Sequence, residues 1–156
     1  MEWMILPFRR YADFGGRSRR REFWMFQLLN LIVGAVLIGP FMVDVVTAAV
    51  QNPDDEEAMA RALLEGGSVL SMAGLAVYGI FVLAALIPSI AVTVRRLHDR
   101  DMSGWWYLGL TLASLIPLVG GLASIALLVL LVLPGTDGAN RFGPDPKNPF
   151  GEDLFA

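Results

Sequence analysis

Three stretches without a single charged residue constrain this chain more than anything else in it. Residues 23–43, 66–94 and 102–136 run for 21, 29 and 35 residues, so 85 of the 156 positions are charge-free and every charge falls in the other 71. A helix on a soluble protein keeps a wet face and meets a charge every turn or two, and 35 uncharged residues leave no such face. About 20 helical residues, rising about 1.5 Å each, cross a hydrocarbon core of about 30 Å. Each run reaches that length. The chain therefore reads as an all-α integral membrane protein, one membrane domain over 1–156 with spans at 23–43 and 68–94.

Where the charges sit gives the orientation. Residues 1–22 hold six arginines against three acids, while residues 44–65 hold six acids and only Arg61. Basic residues near span ends mark the cytoplasmic side, so the 1–22 segment is expected inside, partly in the membrane interface, and the 44–67 loop outside. Residues 95–103, with Arg95, Arg96 and Arg100, return to the cytoplasm. Within the outer loop, the acidic residues 53–57 ahead of residues 58–64 predict a short helix whose carboxylates complement its dipole. The first charge-free run is too long for a signal peptide and is expected to be an uncleaved anchor. With no cysteine in the chain, thiolate metal sites, disulfides and cysteine nucleophiles are excluded.

The third run allows two readings. As one helix, residues 105–133 would extend about 43 Å, which demands marked tilt. In its middle lies Ile116-Pro117-Leu118-Val119-Gly120-Gly121, where a proline removes a helix hydrogen bond and paired glycines permit a turn. A hairpin over 104–133, with arms at 104–116 and 122–133, places the polar tail 134–156 inside. A single kinked span places it outside, giving three spans instead of four. Pro40 and Pro88 are further positions at which a helix could break, as in transporters.

Two polar clusters stand at cytoplasmic span ends. The first surrounds Arg17, Arg20, Glu22 and Trp24. Arginines beside an aromatic residue there suit anionic headgroups, at about 1 kcal/mol per basic residue, and equally serve as a topology signal with an interfacial Trp24. The second surrounds Arg95, Arg96, His98, Asp99, Ser103 and Trp105. Here Arg95 and Arg96 complement a helix C-terminus, Asp99 has i+4 spacing for an ion pair with Arg95, and Ser103 can cap the next helix. His98, the single histidine, has Asp99 beside it in sequence as a general base's orienter would be, but no nucleophile and no further nitrogen or sulfur donors accompany it, so neither catalysis nor a metal is expected. Within the spans, Gln27, Asn30 and Gly34 share a polar, small face suited to helix contact. No charged residue lies mid-span, which disfavours an ion-coupled pump.

Residues 16–24 (Gly-Arg-Ser-Arg-Arg-Arg-Glu-Phe-Trp), residues 95–99 (Arg-Arg-Leu-His-Asp) with Ser103-Gly104-Trp105-Trp106, and Pro134-Gly135 followed by residues 140–146 (Asn-Arg-Phe-Gly-Pro-Asp-Pro) resemble the domain of unknown function 805, a family of small bacterial inner-membrane proteins of the YhaH type. The three motifs occur in the family's order and cover about residues 8–146. The 44–65 loop is longer than the family's, and Arg100-Asp101-Met102 departs from its usual small-polar pattern. The resemblance implies mostly architecture, that of a small protein of the bacterial inner membrane, since no activity is established for the family; with the charge placement above, a multi-pass protein with its N-terminus in the cytoplasm is expected. Because all three motifs are polar, they are expected to meet on one side, which favours the hairpin and draws Asn140 and Arg141 into one cytoplasmic cluster with Arg17, Arg20, Glu22, Arg95, Arg96, His98 and Asp99. The expected function is non-catalytic binding or scaffolding, with no cofactor, metal or nucleic acid. The bilayer, an anionic lipid, and a second copy or another membrane protein are the expected partners. An oligomeric small-solute transporter or channel component is the alternative, and a lipid-headgroup enzyme the third reading.

Overall fold

A computed structural model describes residues 2–51, 57, 60–61 and 68–148. Those residues form helices and turns without strands: α1 (Glu2–Arg9), α2 (Arg20–Gln51), α3 (Val69–His98), α4 (Trp105–Ala113) and α5 (Val119–Val132). Two of them, α2 with 32 residues and α3 with 30, are long and apolar enough to cross a membrane. Both run unbroken through a proline, Pro40 and Pro88 respectively, so neither is the broken helix of a transporter. Helix α2 also continues about two turns past the end of the charge-free run. Most of the helix expected in the acidic loop lies outside the described residues; Glu57, Ala60 and Arg61 are helical, and Arg61 pairs with Glu57 at 2.9 Å, one turn away.

The chain divides into two compact bodies, residues 28–86 and residues 1–27 with 87–156. In the first, α2 and α3 meet through small residues. Gly74 sits so close to the Leu37 carbonyl that a side chain would overlap it, and a methyl group on Gly34 would lie 3.5 Å from the Tyr78 ring. Such close approach is how helices associate where lipid is as apolar as the side chains. The Asp44 carboxylate accepts hydrogen bonds from the Ser68 N–H, at 2.9 Å, and from the Ser71 hydroxyl, placing a negative charge at the start of α3, where the helix dipole favours it. Of the described residues of this body only Ser71 and Ala85 are buried, whereas Leu31, Val36, Val43, Ile80 and Leu83 are 63–72% exposed. Exposure of that extent on long apolar helices fits lipid as the surrounding medium.

In the second body, α4 and α5 form a hairpin, which rules out a single kinked helix over residues 105–133. The turn comes earlier than the Pro-Leu-Val-Gly-Gly run suggests. Helix α4 ends at Ala113, three residues before the expected limit, and α5 begins at Val119, three residues before the expected start. Proline restricts the residue ahead of it and offers no N–H, so the chain leaves the helix early. The turn is closed by Leu115 N–H to Leu112, Ile116 N–H to Ala113 and Gly120 N–H to Ile116. Leu118, not a glycine, takes the positive φ of 71°. Gly120 is needed inside α5, because a side chain there would overlap the Ser114 carbonyl.

Candidate functional site

The last turn of α3 presents Arg95, Arg96 and Asp99 to the start of α2 and to the tail after α5. All three are buried, as are Arg17, Ser18 and Glu22. The spacing had predicted an Arg95–Asp99 pair; both partners instead face elsewhere. Arg95 donates to Glu22 at 3.0 Å and to the Asp13 carbonyl, while Asp99 accepts from Arg17 Nε at 3.0 Å through one oxygen and from Arg96 through the other. Residues 95 and 99 point along one helix face, but the carboxylate is better shared by two guanidiniums than by a neighbour already matched to Glu22.

Three buried arginines against two buried carboxylates leave one positive charge, and main-chain carbonyls absorb it. Arg17 also donates to the carbonyls of Thr136 and Gly138. Arg96 reaches the carbonyl of Leu131 at 3.1 Å and that of Leu133. Arg20 donates to Val132 at 3.1 Å and Arg100 to Pro134 at 2.9 Å. Helix α5 has no basic residue in its own last turn, so arginines from α2, from α3 and from the turn that follows α3 satisfy its terminal carbonyls and dipole. The end of α5 is thereby fixed beside the start of α2 and the end of α3.

The tail locks onto the same knot. Thr136 N–H donates to the Asp99 carbonyl at 2.8 Å. The Asn140 amide donates to the carbonyl of His98 at 2.9 Å and to the Thr136 hydroxyl at 3.0 Å, and its oxygen accepts from the Phe142 N–H. Arg141 donates to the Asp101 carbonyl at 2.6 Å and pairs with its carboxylate at 3.2 Å. A side chain on Gly135 would overlap the Asp99 carboxylate, so glycine is the residue that lets the tail cross here. Ser103 serves the start of α4 from one position before the cap, its hydroxyl accepting from the Trp105 N–H at 3.4 Å.

His98 is not oriented by Asp99, whose two oxygens are held by arginines. Its ring stacks on Phe142 with centroids 3.9 Å apart, and Nδ1 lies 3.2 Å from the Gly16 carbonyl, so Nδ1 carries the proton and donates. Desolvation, aided by the nearby Arg141 charge and opposed by the Gly16 hydrogen bond, holds its pKa below the ordinary 6.5. The imidazole lines an open, mostly apolar depression of about 490 Å³ with Phe14, Val94, Trp105 and Tyr107, whose phenol is the other acid–base group of the lining.

The structure thus brings Arg17, Arg20, Glu22, Arg95, Arg96, His98, Asp99, Asn140 and Arg141 together. Trp24 and Trp105 stay exposed outside that network. Sequence reasoning passed over Thr136 and Phe142 and gave Gly135 no role. A Pro-Gly pair directly after an apolar helix and an aromatic residue beside Asn-Arg were the available signals.

Such a structure defines a multi-pass helical membrane protein whose polar motifs close on one another at one end of its long helices. The chain belongs to the family described as "Protein of unknown function (DUF805)", whose model matches residues 11–144. It is 40% identical over 147 residues to inner membrane protein YhaH of Escherichia coli (strain K12), covering 94% of this chain and 98% of that one. It is 35% identical to inner membrane protein YhaI of the same organism over 94% of this chain and 97% of the relative. A more distant relative, the uncharacterized protein YiiR, is 27% identical over 87% of each. No solved structure matches. The protein is accordingly a bacterial inner-membrane protein.

Proposed function

We propose that this protein is a non-catalytic component of the inner membrane whose cytoplasmic end holds anionic lipid headgroups. One observation carries the reading. Arg17, Arg95 and Arg96 are used up inside the knot, whereas Arg19 and Arg21 meet no carboxylate among the described residues and lie 5.9 and 5.8 Å from the Trp3 ring of α1. A short helix ending in arginine, an aromatic ring between two guanidiniums and the end of a long apolar helix are the ingredients of an interfacial contact with anionic lipid. The commitment of both Asp99 oxygens to arginines supports a non-catalytic role over headgroup chemistry at His98.

The same reading gives the membrane arrangement. Helices α2 and α3 are full spans, and α4 and α5, about 14 and 21 Å long at 1.5 Å per residue, are two short segments entering from the cytoplasmic side. Four segments put residues 1–22, 95–103 and 134–148 on that side, and the knot they share supports this. Because the chain lacks cysteine, single cysteines at Asn148 and Leu118 report this directly. Asn148→Cys shielded from a membrane-impermeant maleimide at the outer face supports the arrangement, with labelling of Leu118→Cys reporting how far the hairpin reaches; outer-face labelling of Asn148→Cys overturns it.

The functional test compares reconstitution into bilayers of phosphatidylglycerol and of phosphatidylcholine. The wild type is expected to retain and enrich phosphatidylglycerol at its surface by native mass spectrometry. Arg19→Gln with Arg21→Gln, which removes the Arg19–Pro146 bond but none of the buried ion pairs, is expected to lose most of that enrichment, at about 1 kcal/mol per residue. Equal retention of both lipids by the wild type sinks the reading.

A further inference from the structure

Beside the knot is a cavity of about 170 Å³ whose lining includes Arg19, Arg20, Arg21, Arg96 and Lys147 against the single carboxylate of Asp99. That carboxylate neutralises nothing further, since Arg17 and Arg96 already occupy its two oxygens. The remaining four cations have weaker company. Arg19 donates to the Pro146 carbonyl and Arg20 to that of Val132. Arg21 stands near Trp3, and Lys147 reaches Asp137 only at 3.5 Å in a solvent-exposed pair. A concave space lined mostly by one sign of charge concentrates counter-ions, and guanidinium forks match the oxygens of phosphate, as they do those of carboxylate, with paired hydrogen bonds.

Size narrows the ligand. The volume equals that of about five to six waters at about 30 Å³ each and falls below the roughly 300–1,000 Å³ of pockets that enclose drug-sized molecules. The space seats one phosphate group, and the rest of any larger ligand would extend out of its mouth. We infer that this cavity is a binding site for a single phosphate group, presented by an anionic phospholipid headgroup or free in the cytoplasm. The inference deepens the headgroup reading above, on which its lipid source rests, and assigns a specific seat at the protein's cytoplasmic end.

The test uses the full chain in a non-ionic detergent, with thermal unfolding followed in inorganic phosphate and in chloride of equal ionic strength. A ligand that binds only the folded state raises the midpoint in proportion to the logarithm of its occupancy. Phosphate is expected to raise it beyond chloride, and Lys147→Glu to weaken the apparent affinity about ten-fold. Lys147→Gln, which reverses no charge, is expected to weaken it less. Neither substitution is expected to move the midpoint in chloride, because an exposed ion pair contributes little. Repetition in phosphatidylglycerol bilayers separates the sources: a shift that vanishes there means that the lipid phosphate already fills the seat, and one that persists means that free phosphate is the ligand. No shift beyond chloride in detergent, or a shift unchanged in Lys147→Glu, overturns the inference. Failure of the two tests is separable, since lipid enrichment without a phosphate shift removes the cavity alone, and a phosphate shift without enrichment removes the surface reading alone.

Discussion

Residues 28–86 and the knot built on residues 17–22 and 95–99 solve opposite problems with the same two long helices. In the first, nearly every large apolar side chain points outward and only a serine and an alanine among the described residues are buried; in the second, arginines, a glutamate and an aspartate are buried with Phe23, Val92 and Leu97. Lipid supplies no hydrophobic drive between helices, so close approach at Gly34 and Gly74 and the Asp44 hydrogen bonds to Ser68 and Ser71 define the geometry of the apolar stretch. The knot has directional bonds from α2, α3, α5 and the tail. Specificity of fold in this chain is therefore concentrated where the charges are, and stability should respond to mutation very differently in the two places.

The sharpest test is Asp99→Ala beside Leu83→Ala. Removing Asp99 strands Arg17 and Arg96, both buried, without a carboxylate. The expected loss is about 3–5 kcal/mol, the cost typical of leaving a buried charge uncompensated. Leu83, 72% exposed toward what we read as lipid, should cost less than about 0.5 kcal/mol, as for positions away from buried features. Denaturant unfolding in mixed micelles measures both. Equal losses would mean that the knot is not what holds the cytoplasmic end together.

Two glycines make the same comparison with opposite signs. Gly135→Ala places a methyl group within 2.8 Å of the Asp99 main-chain oxygen and closer still to its carboxylate, and overpacking of this kind costs about 1–3 kcal/mol. Gly79, inside α3, has open space around its Cα, so Gly79→Ala should stabilise by up to about 1 kcal/mol through helix propensity alone. Thermal midpoints of the two variants in one detergent decide this; a stabilised Gly135→Ala would show that the tail does not cross Asp99 as closely as the structure has it.

The contrast also explains what the sequence made legible. Charge-free runs mark α2 and α3 because exclusion of charge from lipid acts on composition, which is local and visible. Membership of residues 17, 95, 99 and 140 in one cluster was legible only as a shared polarity of three distant motifs. Which guanidinium meets which carboxylate was not, since i+4 spacing describes an isolated helix and Asp99 is satisfied by Arg17, 82 positions away. The turn of the hairpin was misplaced for a related reason: glycines permit a turn, but Gly120 is required for contact between α4 and α5, a tertiary demand that overrides the local signal. Gly135 likewise reveals its role only through the atom it would strike.

The smallest expected effect concerns pH, and it sharpens the comparison because only the cytoplasmic end carries a group that titrates near neutrality. His98 is held below its ordinary 6.5, first by desolvation and then by Arg141. A histidine whose folded pKa is depressed favours the folded state while neutral, so its contribution is fully present above pH 6.5 and fades as pH falls through the unfolded value toward the folded one. Protonation would also place a charge beside Arg141. The thermal midpoint of the wild type should therefore drop between pH 7 and pH 5, by a few degrees at most. His98→Gln should lose some stability at pH 7, through the stack and the Gly16 hydrogen bond, and flatten the pH dependence over that window. Wild type and variant falling in parallel would show that His98 is not the source of the acid sensitivity.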